Sequence, residues 1–323
     1  MVPDMIGRTR AMTRGSVFSL MVSVFVVVSF FSACNKEERH EINQVVFSVN
    51  NFQFIGDDEI DTKTSLRNGT EFIWSANDTV GIYPNTGSQV YFAMTSGAGA
   101  SSATFDGGGW DFKPSSVYYS YYPFIGDIYL DRHHIPVTYL GQHQPTATDI
   151  EHIGPYDYMV TPAASASNGN LHFSYAHLNC LIRVTASLPS GTYTRMSIIS
   201  PDEDFALNGY YDLMSSTPRI VSTKVSDTIS IDLDYIAVSE GTPLVVYLMS
   251  APVNLKDKDI TVIFTADNGT IYSQTKTPSR NYEAESIGGL TCNEFTGNSG
   301  IANGVNSEDT VMGEDDEVLT INQ

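Results

Sequence analysis

Ile260-Thr261-Val262-Ile263-Phe264-Thr265-Ala266 runs through Asp267-Asn268-Gly269-Thr270 into Ile271-Tyr272-Ser273-Gln274. Two β-branched and aromatic segments joined by Asn-Gly read as a hairpin, because both central residues of such a turn can take positive φ. Upstream, Thr228-Ile229-Ser230-Ile231-Asp232-Leu233 alternates strictly: Ile229, Ile231 and Leu233 face one side, Ser230 and Asp232 the other. A strand of that kind has one dry and one wet face, as in a sandwich. Residues 244–249 are six apolar residues in a row, which predicts a strand covered on both faces or lying centrally. Similar runs, bounded by Gly, Pro, Asn and Asp, lie at 45–49, 79–83, 90–94, 117–122 and 181–186. Beyond the first forty residues no stretch carries helical periodicity, and the chain reads as all-β.

The first forty residues are of another kind. Arg8, Arg10 and Arg14 precede the apolar stretch 17–31, and Phe31-Ser32-Ala33-Cys34 follows. A basic start, an apolar run short of the ~20 residues that span a membrane, and small residues before a cysteine form a lipoprotein signal. Residues 1–33 are expected to be removed as the signal peptide. Cys34 then becomes the lipidated N-terminus, carrying diacylglycerol and palmitate and tethering the chain to the outer membrane. What remains is 290 residues (323 less 33), with 14 basic and 36 acidic side chains and a formal charge of −22. A surface so acidic repels phosphate backbones, so nucleic acid is excluded as a partner.

A chain of that length exceeds one sandwich and suits two domains, each with its own core. The small, polar stretch 162–169 marks the boundary. This gives an N-terminal domain at 34–165, a C-terminal domain at 166–295 and an acidic tail at 296–323, which reads as solvated. After Cys34, two cysteines are left; Cys180 sits in an apolar strand pattern and reads as a buried free thiol, with pairing to Cys292 as the alternative.

The residues offer little to a catalyst. Asp127, Asp131, His133, His134, His143 and His152 crowd one loop-rich region, but their spacing matches no metal site. Adjacent histidines in a strand also point to opposite faces. No metal and no cofactor is expected. His177 reads as a satisfied core histidine. Asp202-Glu203-Asp204 reads as a wet corner rather than a catalytic pair, and no phosphate cradle, nucleophile elbow or Cys-His pairing is present. No residue is assigned a catalytic role, and the chain is not expected to be an enzyme. Trp74 reads as core. Trp110 and the tyrosines of 118–122 are open to two readings, core lining or a platform for sugars.

Several blocks together resemble a known family. Phe72-Ile73-Trp74 followed by Asp78-Thr79-Val80-Gly81-Ile82-Tyr83 resembles the early aromatic-acid-glycine signature of fimbrillin-family lipoproteins, the pilins of anaerobic Gram-negative gut and oral bacteria. Tyr118-Tyr119-Ser120-Tyr121-Tyr122-Pro123 is similar to their tyrosine-rich strand, and Asp157-Tyr158-Met159 to the strand closing their first domain. The run from Leu171 to Val184, with Phe173 and His177, resembles the first strand of their second domain; Tyr247-Leu248-Met249-Ser250-Ala251-Pro252 completes the series. Lys36-Glu37-Glu38 is similar to their surface-export tag. The chain departs from the pattern at Phe31, where leucine is usual, at Cys180, where a small residue is usual, and in the extension after Phe295.

The resemblance implies two transthyretin-like β-sandwich domains in tandem, exported as a lipoprotein precursor. Such a precursor is assembled into fimbriae by strand exchange after proteolysis, as a pilin or as an accessory tip or anchor subunit, and displayed at the surface for adhesion to host or bacterial ligands. The removable strand is then 45–49, with its extension to 55. A trypsin-like protease would cut after Lys63 or Arg67, with Arg67 preferred, in polar, turn-rich sequence. The strand donated to another fimbrial subunit is Val318-Leu319-Thr320-Ile321, the one β-prone apolar piece beyond Phe295. The alternative from another functional class is a monomeric surface lipoprotein that binds glycans through exposed aromatics.

Overall fold

The computed structural model describes residues 44–55, 72–113, 116–126, 129–165 and 170–298. Cys34, Asp127, Lys63, Arg67, Val318, Leu319, Thr320 and Ile321 lie outside these residues. The described chain is all-β apart from one 3-10 turn, Glu151–Tyr156. Its strands are β1 (Gln44–Val49), β2 (Gln53–Ile55), β3 (Thr79–Pro84), β4 (Val90–Ser96), β5 (Ser102–Asp106), β6 (Val117–Tyr122), β7 (Ile135–Thr138), β8 (His143–Gln144) and β9 (Met159–Ser165). They continue with β10 (Asn170–His177), β11 (Cys180–Ala186), β12 (Gly191–Ile199), β13 (Phe205–Tyr211), β14 (Val221–Ser226), β15 (Thr228–Val238) and β16 (Leu244–Ser250). The last are β17 (Ile260–Ala266), β18 (Ile271–Lys276), β19 (Ser286–Cys292) and β20 (Thr296–Asn298).

Seven strands close into a barrel in the order β1-β10-β9-β6-β3-β4-β5. The rest form a four-stranded sheet β16-β11-β19-β2, a six-stranded sheet β20-β18-β17-β12-β15-β8 and a three-stranded sheet β14-β13-β7. Early strands thus enter sheets built mainly from late ones: β2 pairs with β19, β7 with β13 and β8 with β15. The stretch 162–169 starts inside a strand rather than a linker, since β9 runs to Ser165 against Val117 of β6. Likewise β20 extends the six-stranded sheet past residue 295 by pairing with β18.

The alternating strands fold as their pattern requires. Ile229, Ile231 and Leu233 of β15 are buried and Asp232 is exposed; β17 buries Ile260, Val262, Phe264 and Ala266. The turn between β17 and β18 differs in detail from the expectation. Only Gly269 takes positive φ, at 81°, and the turn closes by Gly269 N–H to Ala266 O (3.0 Å) and Ala266 N–H to Thr270 O (2.9 Å). With Asn268 Oδ1 accepting from Thr270 N–H at 2.9 Å, the longer loop lets one left-handed glycine do what two such residues do in the tightest turn.

Two glycines are fixed by tyrosine rings rather than by φ. A Cβ on Gly81 would lie 2.1 Å from the ring of Tyr121, its partner on β6, and a Cβ on Gly288 would lie 2.0 Å from the ring of Tyr282. Trp74, Tyr118, Tyr121 and Tyr122 are all buried, so this aromatic block is core; Trp110 is the exposed member, at 39%. Tyr119 is the tyrosine of that strand that stays half-buried.

Candidate functional site

The site of interest is the strand that closes the barrel. β1 lies between two neighbours, parallel to β10 along Gln44–Val49 and antiparallel to β5 at Phe47 and Ser48. Its inward residues are Phe47, fully buried, and Val49; Val45 and Ser48 are half-buried. The Phe47 ring fits a socket made by Phe105 (centroids 4.7 Å), Phe173 (5.1 Å) and Phe92 (6.5 Å). Beyond the ladder, Val49 N–H donates to Ser101 O and Asn50 N–H to Tyr175 O, each at 3.0 Å. A barrel has no edges while it is closed; without β1, the backbone rows of β5 and β10 and the floor of the Phe47 socket would face solvent.

A second device holds the segment just after β1. His177, at the end of β10, is buried with both ring nitrogens engaged: Nδ1 lies 2.7 Å from Asp157 Oδ1 and Nε2 lies 2.8 Å from the carbonyl oxygen of Asn50. A carbonyl can only accept, so Nε2 carries a proton, while Nδ1 faces the Asp157 carboxyl group. Burial alone would lower the basicity of this ring, but Asp157 and the two hydrogen bonds more than offset it and hold the pKa above the ordinary histidine value. The imidazole ring is sandwiched by Phe52 (4.1 Å, stacked) and Phe72 (4.6 Å, edge-on), and Asn51 Oδ1 accepts from Phe72 N–H at 3.2 Å. Asn179 completes the cluster, donating to Tyr156 O (3.1 Å) and Asp157 Oδ1 (3.3 Å) and accepting from Tyr139. His177 is thus a satisfied core histidine, as its sequence context suggests. Its partners Asp157 and Asn50, remote in sequence, leave no local signature.

The other sequence candidates separate. His133 pairs with Asp212 (3.0 Å) and His134 with Asp131 (2.7 Å), both at the surface. His152 Nε2 donates to Tyr247 O at 2.9 Å. Among the described residues no group of three or more His, Cys, Asp or Glu is gathered around one point. Asp202 and Asp204 hold Lys258 at 3.1 and 2.5 Å, an ion-paired corner. Cys180 and Cys292 are both buried. β11 and β19 are neighbours, but Cys180 aligns with Ser286 and Cys292 with Ala186. Six residues of offset place the sulfurs about 20 Å apart, beyond any disulfide. Burial pushes the Cys180 thiol up to about 12, leaving it unreactive at neutral pH.

A feature without any sequence signature protects the edge of β16. This strand ends its sheet, yet its outer backbone groups are paired by two buried glutamine side chains. Gln142 Nε2 donates to Met249 O and Gln142 Oε1 accepts from Met249 N–H, both at 2.8 Å. Gln144 does the same at 3.0 Å with Val245 O and Tyr247 N–H. Residues two apart on one strand point the same way, so Gln142 and Gln144 face Met249, Tyr247 and Val245 in register and act as a strand made of amides.

The sequence matches no protein-family model and no curated relative. Among solved structures, the chain is similar to a "putative cell adhesion protein" from Bacteroides ovatus, with 13% identity and a TM-score of 0.52 over 79% of this chain and 94% of that one. It is also similar to a fimbrial protein from Bacteroides ovatus (13% identity, TM-score 0.36, 79% of this chain and 49% of that one). A further neighbour is the tip fimbrial protein Mfa3 from Porphyromonas gingivalis (8% identity, TM-score 0.35, 64% and 86%). The first of these establishes a shared fold across most of the chain. The fold is thus shared with a cell adhesion protein of Bacteroides ovatus.

Proposed function

We propose that the chain is a structural subunit of cell-surface fimbriae. In this reading it is anchored in the outer membrane through lipid on Cys34, trimmed by a trypsin-like protease, and polymerised by strand exchange to mediate adhesion. One observation carries the reading: the first described strand, β1, is the strand that closes the barrel, and it fills an aromatic socket between two backbone ladders. A cut after Lys63 or Arg67 would leave β1 and β2 joined to the rest of the chain by noncovalent contacts alone. Their departure would present an open groove for a β-prone segment such as Val318-Leu319-Thr320-Ile321 of a sister subunit. The barrel, with the sheets built mainly from strands after β10, would supply the two transthyretin-like domains. The adhesion and fimbrial neighbours support the surface role, and the shared fold supports the architecture.

The test is mild trypsin treatment of the lipid-free chain followed by electrophoresis without boiling. Loss of the N-terminal segment with SDS-resistant ladders is expected, and deletion of residues 317–323 should abolish the ladders. Ladders undiminished by that deletion would remove the donor assignment; a trimmed chain that stays monomeric would remove the polymerisation reading.

A further inference from the structure

β14 is the outermost strand of the sheet β14-β13-β7, and among the described residues it pairs with one strand only, β13. Val221, Ser222, Thr223, Lys224 and Val225 are all exposed, Val221 at 41% and Val225 at 44%. An open strand edge presents a row of backbone N–H and C=O groups that another strand can meet. This edge has guards: Lys224 in its middle, and two register shifts against β13 that twist it. Guards of that kind reject most segments, so the sequence of the edge decides which one it admits. In Val221-Ser222-Thr223-Lys224-Val225 the β-branched residues recur at every second position, and their order is the same read in either direction from Thr223. The surrounding charge agrees. Residues 213–226 carry Arg219 and Lys224 and no acid, in a chain with 37 acidic and 17 basic side chains, so a second copy can approach here without acid facing acid.

We propose that β14 docks on itself: it pairs antiparallel with β14 of a second copy of this chain, on a two-fold axis through Thr223. Val221 then lies opposite the partner's Val225, Thr223 opposite the partner's Thr223, and Lys224 opposite the partner's Ser222. β-branched side chains meet on one face, and on the other each ammonium faces a hydroxyl, so no like charges stand directly opposite. Moving the axis to Lys224 would set two ammonium groups face to face, which selects the first register. The contact uses neither β1 nor the barrel and is separate from strand exchange; within a fimbria it joins subunits side by side. Six residues of edge bury less than the ~1,200 Å² of a stable complex, so single copies associate weakly and a row of them adds up.

The unclipped chain from residue 35, without lipid or Cys34, tests this apart from the fimbrial reading, because the contact needs no cut and no donated strand. Sedimentation equilibrium is expected to show a reversible dimer with a dissociation constant on the order of 10⁻⁴ M. Raising salt from about 0.05 to about 0.5 M should tighten it, since the net negative charges of the two copies repel each other less when screened. Disulfide trapping reads the register. Thr223→Cys should crosslink to itself, because residues directly opposite in an antiparallel pair have Cα atoms about 4.5–5.5 Å apart, within disulfide reach. Ser222→Cys alone should not crosslink, and mixed with Lys224→Cys it should. Cys180 and Cys292 are buried and leave these readings clean. Thr223→Lys, at an exposed position, sets two ammonium groups on the axis and should weaken the dimer at least about tenfold. A chain that stays monomeric at about 1 mM in the higher salt would overturn the proposal. So would dimers undiminished by Thr223→Lys, or equal trapping of Thr223→Cys and Ser222→Cys.

Discussion

Two sheet edges in this molecule are closed in opposite ways. The barrel's gap is filled by backbone: β1 supplies a full strand and an aromatic side chain for the Phe105 and Phe173 socket, and Asn50, just after it, a carbonyl for His177. The edge of β16 is filled by side chains: Gln142 and Gln144 pair its amides from a segment held between β7 and the 3-10 turn. A plug of the first kind can leave whole and be replaced by another strand, because any backbone can satisfy a ladder. The second kind cannot be exchanged, because it is part of the fold's interior. Under the proposed polymerisation through one edge the other edges have to be sealed, and the amide pairs do that for β16.

The comparison can be broken first at Phe47. Phe47→Ala should lower stability by about 3–5 kcal/mol, with the loss concentrated in β1. Denaturant melts, together with hydrogen exchange on β5 and β10, check it; a loss spread evenly over β16 and β11 would contradict the idea of a separable strand. Next in size is Gln142→Ala, which strands a buried N–H and a buried C=O on Met249 and should cost about 2–4 kcal/mol. Its exchange signature should appear at β16 and leave β1 protected.

The third test uses pH. Because His177 has a folded pKa above its unfolded value, the protonated ring contributes stability that is fully present below the unfolded pKa, about 6.5. That contribution is lost as pH rises through the folded value. Stability and retention of the β1 segment should therefore fall in the native chain as pH rises above about 6.5, and a His177→Gln variant should lack that dependence. Equal slopes for the two would refute the imidazolium latch. The smallest effect expected is none: reducing agent should leave the melting temperature unchanged, because Cys180 and Cys292 are far apart in register. A shift of several degrees on reduction would contradict the pairing of β11 with β19.

Much of this was legible in the sequence, and the remainder was hidden for identifiable reasons. Alternation in 228–233 and 260–266 specifies strands and faces, because one-sided burial imposes a period of two. The apolar run 244–249 correctly signals a strand covered on both faces, yet it lies at a sheet's end, since glutamines rather than a strand cover its edge. Nothing in Gln142-His143-Gln144 marks that role; its partners lie a hundred residues on. β5 carried a readable signal in Ala103 and Phe105, buried between exposed neighbours, but its five residues are too few to stand out from the surrounding glycines and serines. His177 was recognisable as core, whereas its protonation depends on Asp157 and Asn50, which only the fold brings together.

The central claim is that β1 is a detachable strand whose place another strand can take. Mass spectrometry of the trypsin-clipped chain, with amide exchange followed before and after addition of a peptide spanning residues 316–323, tests it most directly. The account predicts loss of the segment preceding the cut, faster exchange confined to β5 and β10, and restored protection when the peptide is added. A clipped segment that stays bound in the presence of excess peptide, with β5 and β10 protected throughout, would contradict it.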